Sequence, residues 1–182
     1  MNFSNNFTKS RFRFKKQGVF TAKNAFTLIE LMVVISVIAM AAGIVILVYR
    51  DATASARDMR RKSELSQLRQ VFLSSCYMPD AGPGEHDLYD IIAELKFKYP
   101  QTVKQMGALP IDPKSGIADK SFYKYIVTDN GRNCAFMANM ERESEPVTLG
   151  GMSAPDPLRG NGVYQANEKG WNGSTKYFQT AI

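Results

Sequence analysis

A carboxylate inside an apolar run, two cysteines and a single histidine are the residues of this sequence whose types and spacing could do chemistry. Glu30 stands in TAKNAFTLIELMVVISVIAMAAGIVILVYR, residues 21–50, a stretch long enough to cross a membrane. An ionised carboxylate at the centre of a bilayer costs roughly 2.5–3.5 kcal/mol on insertion scales, so an acid in such a run usually serves a function. Cys76 and Cys134 are an even pair, which in an exported chain invites a disulfide. The alternative is two buried free thiols. His86 lies beside a helix cap and reads as a solvent-exposed loop histidine, not a metal ligand or base. The sequence has no serine–histidine pairing, no zinc spacing and no phosphate-cradling glycine pattern after a strand; GPG and GNG read as turn glycines. No catalytic residue and no cofactor are expected.

The elements that must position these residues begin with the apolar run. From Leu31 to Tyr49, 19 residues are interrupted only by Ser36. At about 1.5 Å per residue they span about 28 Å, close to the hydrocarbon core of a bilayer. The net charge of +6 maps onto what precedes them: residues 1–25 carry six basic side chains and no acid, and the remainder is formally neutral. A neutral body leaves no footprint for phosphate binding, so no nucleic-acid contact is expected. A basic leader ahead of an apolar span instead sets orientation, keeping that end cytoplasmic. Three readings fit the span. One is a secretory signal cleaved after AMA, Ala39 to Ala41, although apolar residues continue well past that point. A plain membrane anchor explains the length and leaves Glu30 unexplained.

The third rests on AFTLIELMVVISVIAMAAGIVI, which resembles the N-terminus of class III, type IV pilin-like prepilins: a basic leader, a small residue, Phe, Thr, a Glu, then a hydrophobic helix. The resemblance implies cleavage by a prepilin peptidase between Ala25 and Phe26 and N-methylation of Phe26. It places Glu30 as the fifth mature residue. Ala25 stands where the family usually has Gly. The resemblance further implies polymerisation through the N-terminal helix, with Glu30 setting subunit register by pairing with a neighbour's new α-amino group, since each charge is costly alone in apolar surroundings. Implied partners are copies of itself or other pilins, the prepilin peptidase, an assembly platform with its ATPase, and the cytoplasmic membrane. The filament would be a type IV pilus or, alternatively, the periplasmic pseudopilus of type II secretion. An uncleaved membrane-anchored binding module, recognising a ligand through the Trp171 region, is the rival of a different class.

Beyond the span, residues 50–78 contain no Gly and no Pro until the breaker cluster 79–84, so one helix is expected over 26–78, with 26–49 as transmembrane and filament-core part. Leu65, Leu68, Phe72 and Cys76 recur at threes and fours and share one face, while the charge run RDMRRK reads as a solvated face. Leu88, Ile91, Ile92 and Leu95 predict a short helix capped by Asp87. LPIDPKSG, residues 109–116, predicts an extended turning segment, and Asp112, Asp119 and Asp129 read as turn residues. Runs 122–128 and 133–141 about Asn130-Gly131 predict a β-hairpin with one apolar face, and Cys134 shares the face of Phe136. GVYQA and KYFQTA are further candidate strands. Trp171 reads either as an exposed recognition residue or as a side chain folded onto the sheet. Major pseudopilins often bind calcium in a C-terminal loop, but around Asp156 and Asn161 the sequence lacks closely spaced oxygen ligands, so calcium is unsupported. The resulting expectation is an α+β, pilin-like fold: a leader at 1–25, a long helix at 26–78 with a transmembrane and an amphipathic half, and a head at 79–182 with a small antiparallel sheet.

Overall fold

The structure, a computed structural model, describes residues 27–72, 75–104 and 108–182, with backbone only at 45–48 and 102. The chain divides into two units, 1–43 and 44–182. Its first element, helix α1, is Leu28–Val71. In the first unit the helix is apolar on every side, and each side chain from Leu28 to Gly43 is exposed in the single chain. The helix has the length and composition to cross a membrane.

Within the second unit the rest of α1 is amphipathic and covers one face of a five-stranded antiparallel sheet of order β1-β2-β3-β5-β4. The strands are β1 Gly84–Asp87, β2 Lys124–Val127, β3 Cys134–Asn139, β4 Gly162–Gln165 and β5 Lys176–Ala181. Leu65, Leu68 and Phe72 meet Tyr125, Val127, Cys134 and Phe136 in one buried cluster, with the Phe72 ring edge-on to Phe136 at 5.2 Å. Helix α2, Leu88–Lys98, adds Leu88, Ile91, Ile92 and Leu95, and Asp87 caps it by accepting from the Tyr89 amide at 3.0 Å. Each large apolar side chain so buried contributes about 1.5–3 kcal/mol. The chain is therefore α+β and pilin-like, with the hairpin and both C-terminal strands where the sequence puts them.

Four expectations need correction. The helix ends at Val71, not at 78, and Cys76 lies in an irregular segment beyond it. No Gly or Pro stops it. The Phe72 amide is shared between the Leu68 and Arg69 carbonyls, and both polar groups of the Tyr77 peptide unite with the Tyr125 hydroxyl, the N–H donating at 2.9 Å and the carbonyl accepting at 2.7 Å. At Tyr77 a tertiary partner thus replaces the helical bonds the residue would otherwise make. Second, His86 is half-buried in strand β1, not in an exposed loop, with Nε2 2.9 Å from the Gly82 carbonyl. The strand was hidden because it is short and opens at Gly84, whose φ of +123° suits glycine. Third, β3 is buried on both faces: Ala135, Met137 and Asn139 lie under Tyr164 and the 172–176 segment. Fourth, Asp112 does organise a turn, its Oδ1 accepting from the Lys114 and Ser115 amides, but it is buried and has a further partner that the next section describes. A five-residue helix, α3, Pro100–Lys104, also went unread in the sequence.

Candidate functional site

The apolar helix start is built around Thr27 and Glu30. The Thr27 amide and its Oγ1 both donate to Glu30 Oε2 at 3.0 Å, and the Glu30 amide donates back to Thr27 Oγ1 at 3.3 Å. The Thr27 carbonyl accepts the first helical bond, from the Leu31 amide. This is a reciprocal capping box: two amides that a helix start leaves without partners are satisfied by the two side chains three residues apart. A negative side chain in the first turn also complements the helix dipole. Glu30 therefore has a local task that sequence reasoning missed, although the spacing T-x-x-E was legible. Beside it, Ile29, Val33 and Val34 form a shallow apolar depression. Ala25 and Phe26, the predicted cleavage and methylation residues, lie outside the described residues.

Cys76 and Cys134 are joined by a disulfide, with S–S 2.08 Å and Cα–Cα 5.7 Å. It ties the segment after α1 to the first residue of β3 across 58 positions of sequence. Trp171 packs against Tyr177, with ring centroids 5.6 Å apart, and against Phe122 at 6.2 Å, so it is folded onto the sheet.

A second polar constellation sits beneath α1. Arg61 is fully buried and donates to Asp112 through Nε at 2.7 Å and Nη2 at 3.0 Å, to Asp58 at 2.7 Å and to Glu141 at 2.8 Å. Arg57 grips the same Glu141 with two bonds of 2.7 Å. Asp58 in turn accepts from the amides of Glu141 and Arg142. Burial pushes the Asp112 carboxyl up, but Arg61, the Ser115 amide, Asn172 and the Lys114 amide outweigh it and bring it down to about 2. Burial likewise raises Glu141, and Arg57 and Arg61 more than reverse it. Within the charge run of α1, Arg57, Asp58, Arg61 and Lys62 are thus held by the head or by one another, while Arg60 keeps the solvated place expected of it. A buried guanidinium with this many acceptors positions elements; it offers no nucleophile and no free base.

Among the described residues no cluster of three or more His, Cys, Asp or Glu is arranged to hold a metal ion. Asp156 Oδ1 accepts from the Leu158 amide within its own loop, and Asn161 Oδ1 accepts from the Thr180 hydroxyl and the Ala181 amide of β5, so both oxygens are engaged in holding the loop.

The prokaryotic N-terminal methylation motif matches residues 21–46, which brackets the Thr27–Glu30 cap and most of the apolar helix. The match, a class III signal motif, supports a precursor of the type IV pilin-like or pseudopilin kind. The motif implies processing by prepilin peptidase, an inner-membrane-anchored precursor and assembly into pilin-type polymers. No curated protein and no solved structure matches the chain.

Proposed function

We propose that this chain is a structural subunit of a type IV pilus-like filament, a substrate of processing machinery and not an enzyme. In this reading the bond between Ala25 and Phe26 is cleaved, Phe26 is N-methylated, and the apolar half of α1 moves from the membrane into the filament core, driven by an assembly platform and its ATPase. The observation that carries the reading is the exposed apolar helix whose start, capped by Thr27 and Glu30, coincides with the methylation motif. Among the described residues nothing covers Leu28 to Gly43, so lipid first and other helices later are its natural surroundings. Glu30 then sets register by pairing with a neighbour's new amine, a pairing that neutralises two charges in an apolar interior.

Intact mass and N-terminal sequencing of protein recovered from membranes and from sheared surface material test the processing step. A start at Phe26 carrying an added methyl supports the reading. A start at Met1 replaces it with an uncleaved anchored module, and a start near Ala42 with a released periplasmic protein. Recovery in the sheared fraction marks a surface pilus, whereas retention in the envelope marks a type II secretion pseudopilus. Glu30→Gln is expected to be processed and to assemble poorly; normal filaments from that variant refute the register role.

A further inference from the structure

We infer that the Cys76–Cys134 bond exchanges, in the folded head, with an external thiol–disulfide couple, and that the exchange runs through Cys76, with Cys134 as the resolving sulfur. The inference goes beyond the filament reading and does not rest on it.

The two sulfurs differ in access and in what holds them. Cys134 is fully buried, in one core with Phe72 and Phe136. As the first residue of β3 it is fixed from both sides. It pairs with Val127 of β2, and its carbonyl accepts from the Ile182 amide, just past β5, at 2.9 Å. Cys76 is half-buried in the irregular segment after α1, where it helps line a surface depression with Ser75, Tyr77, Met78 and Tyr99. An attacking thiolate has to reach the sulfur it bonds, in line with the bond that breaks. In the folded head Cys76 offers that approach and Cys134 does not.

Closing the bond then begins at Cys76. Its thiolate bonds to one sulfur of the external disulfide and expels the other as a thiolate. Cys134 next gives up its proton to solvent and attacks Cys76 Sγ, which forms the internal bond and releases the second external sulfur. The protein dithiol is oxidised and the external disulfide reduced. Opening retraces the same path, so the mixed disulfide lies on Cys76 in either direction. The fold keeps the two cysteines together while the bond is open. Tyr125 still holds the N–H and carbonyl of Tyr77, next to Cys76, and Phe72 still packs on Phe136. Apolar surroundings disfavour a thiolate at Cys134, which leaves that sulfur to react with the neighbour already in reach.

The test uses the full-length chain in detergent, reduced under native conditions, treated with oxidised glutathione and quenched in acid at early times. Peptide mapping without reductant should find glutathione on Cys76 in at least about tenfold excess over Cys134, because exchange follows access. The single variants give a second readout, with urea midpoints compared to show that both are folded. Cys134→Ala should react with dithiobis(nitrobenzoate) under native conditions, whereas Cys76→Ala should react only once urea unfolds it. Repeating the closure with an oxidised C-x-x-C protein at equal concentration separates the sources of the couple: faster closure than with glutathione marks a protein dithiol, slower closure a small thiol. Glutathione found mainly on Cys134, or shared evenly between the two, overturns the inference. So does a bond that neither opens nor closes until the head is unfolded.

Discussion

Arg61 shows how far a residue's role can depart from its appearance in sequence. It sits in RDMRRK beside Arg60, which is exposed, yet its guanidinium is fully buried among Asp58, Asp112 and Glu141. Arg61→Met removes the only listener to Asp112's two oxygens from α1 and leaves buried carboxylates uncompensated. We expect a loss of about 3–5 kcal/mol, read as a shift in urea midpoint of the detergent-solubilised chain. Arg60→Met, one residue away, should lose less than about 1 kcal/mol, since its pair with Glu64 faces water. The clamp also sets a pH dependence. Asp112 titrates near 2 when folded and near its ordinary 3.8 when unfolded, so its stabilisation is present above about pH 4 and is lost as pH falls toward 2. Glu141, also lowered, acts with the same sign. Stability should be level from neutral pH to about 5, begin to decline there through Glu141, whose ordinary value is 4.5, and fall further below about 4 through Asp112, so Asp112→Asn should flatten the lower part of that decline. A variant that declines as steeply as wild type sinks the assignment.

At the scale of elements, the end of α1 is decided by a strand. Tyr125 is buried in β2, and its hydroxyl holds both the N–H and the carbonyl of Tyr77, which keeps that residue out of the helix. Tyr125→Phe keeps the ring against Phe72 and Phe136 but strands that peptide. It should cost about 1–3 kcal/mol and speed hydrogen exchange at the Tyr77 amide far more than at Leu68. Asp87 is a comparable device: beyond capping α2 it accepts from the amides of Ser121 and Phe122, so one carboxylate joins β1, α2 and the entrance to β2. The stripe of α2 and the hairpin turn were legible because their signals are local. β1 and the early end of α1 were not, because each is imposed by a partner distant in sequence.

At the scale of the whole molecule, the Cys76–Cys134 bond closes the path from the long helix to the central strand. By the loop-closure estimate it contributes up to about 4 kcal/mol. Replacing both cysteines by alanine should lower the unfolding free energy by no more than that, while the Phe72–Phe136 contact keeps the helix seated. A double variant that unfolds outright at room temperature would falsify the view that packing, more than the bond, holds the helix to the sheet.

The sequence by itself carried the methylation motif: a basic N-terminal segment, a small residue at 25, Phe26, the T-x-x-E spacing and an apolar run are all properties of contiguous residues. The cysteine pairing was only invited by the sequence: Cys134 shares a strand face with Phe136, but Cys76 lies beyond the helix whose stripe it was expected to extend, and the structure is what joins the two. Only the tertiary structure decided which charges are internal. Arg61 and Asp112 stand 51 positions apart, and Asp58 meets the amide of Glu141 across 83. Nothing in the periodicity of either segment announces the other, since a buried ion pair obeys no local pattern and exists only when chain topology brings its members together.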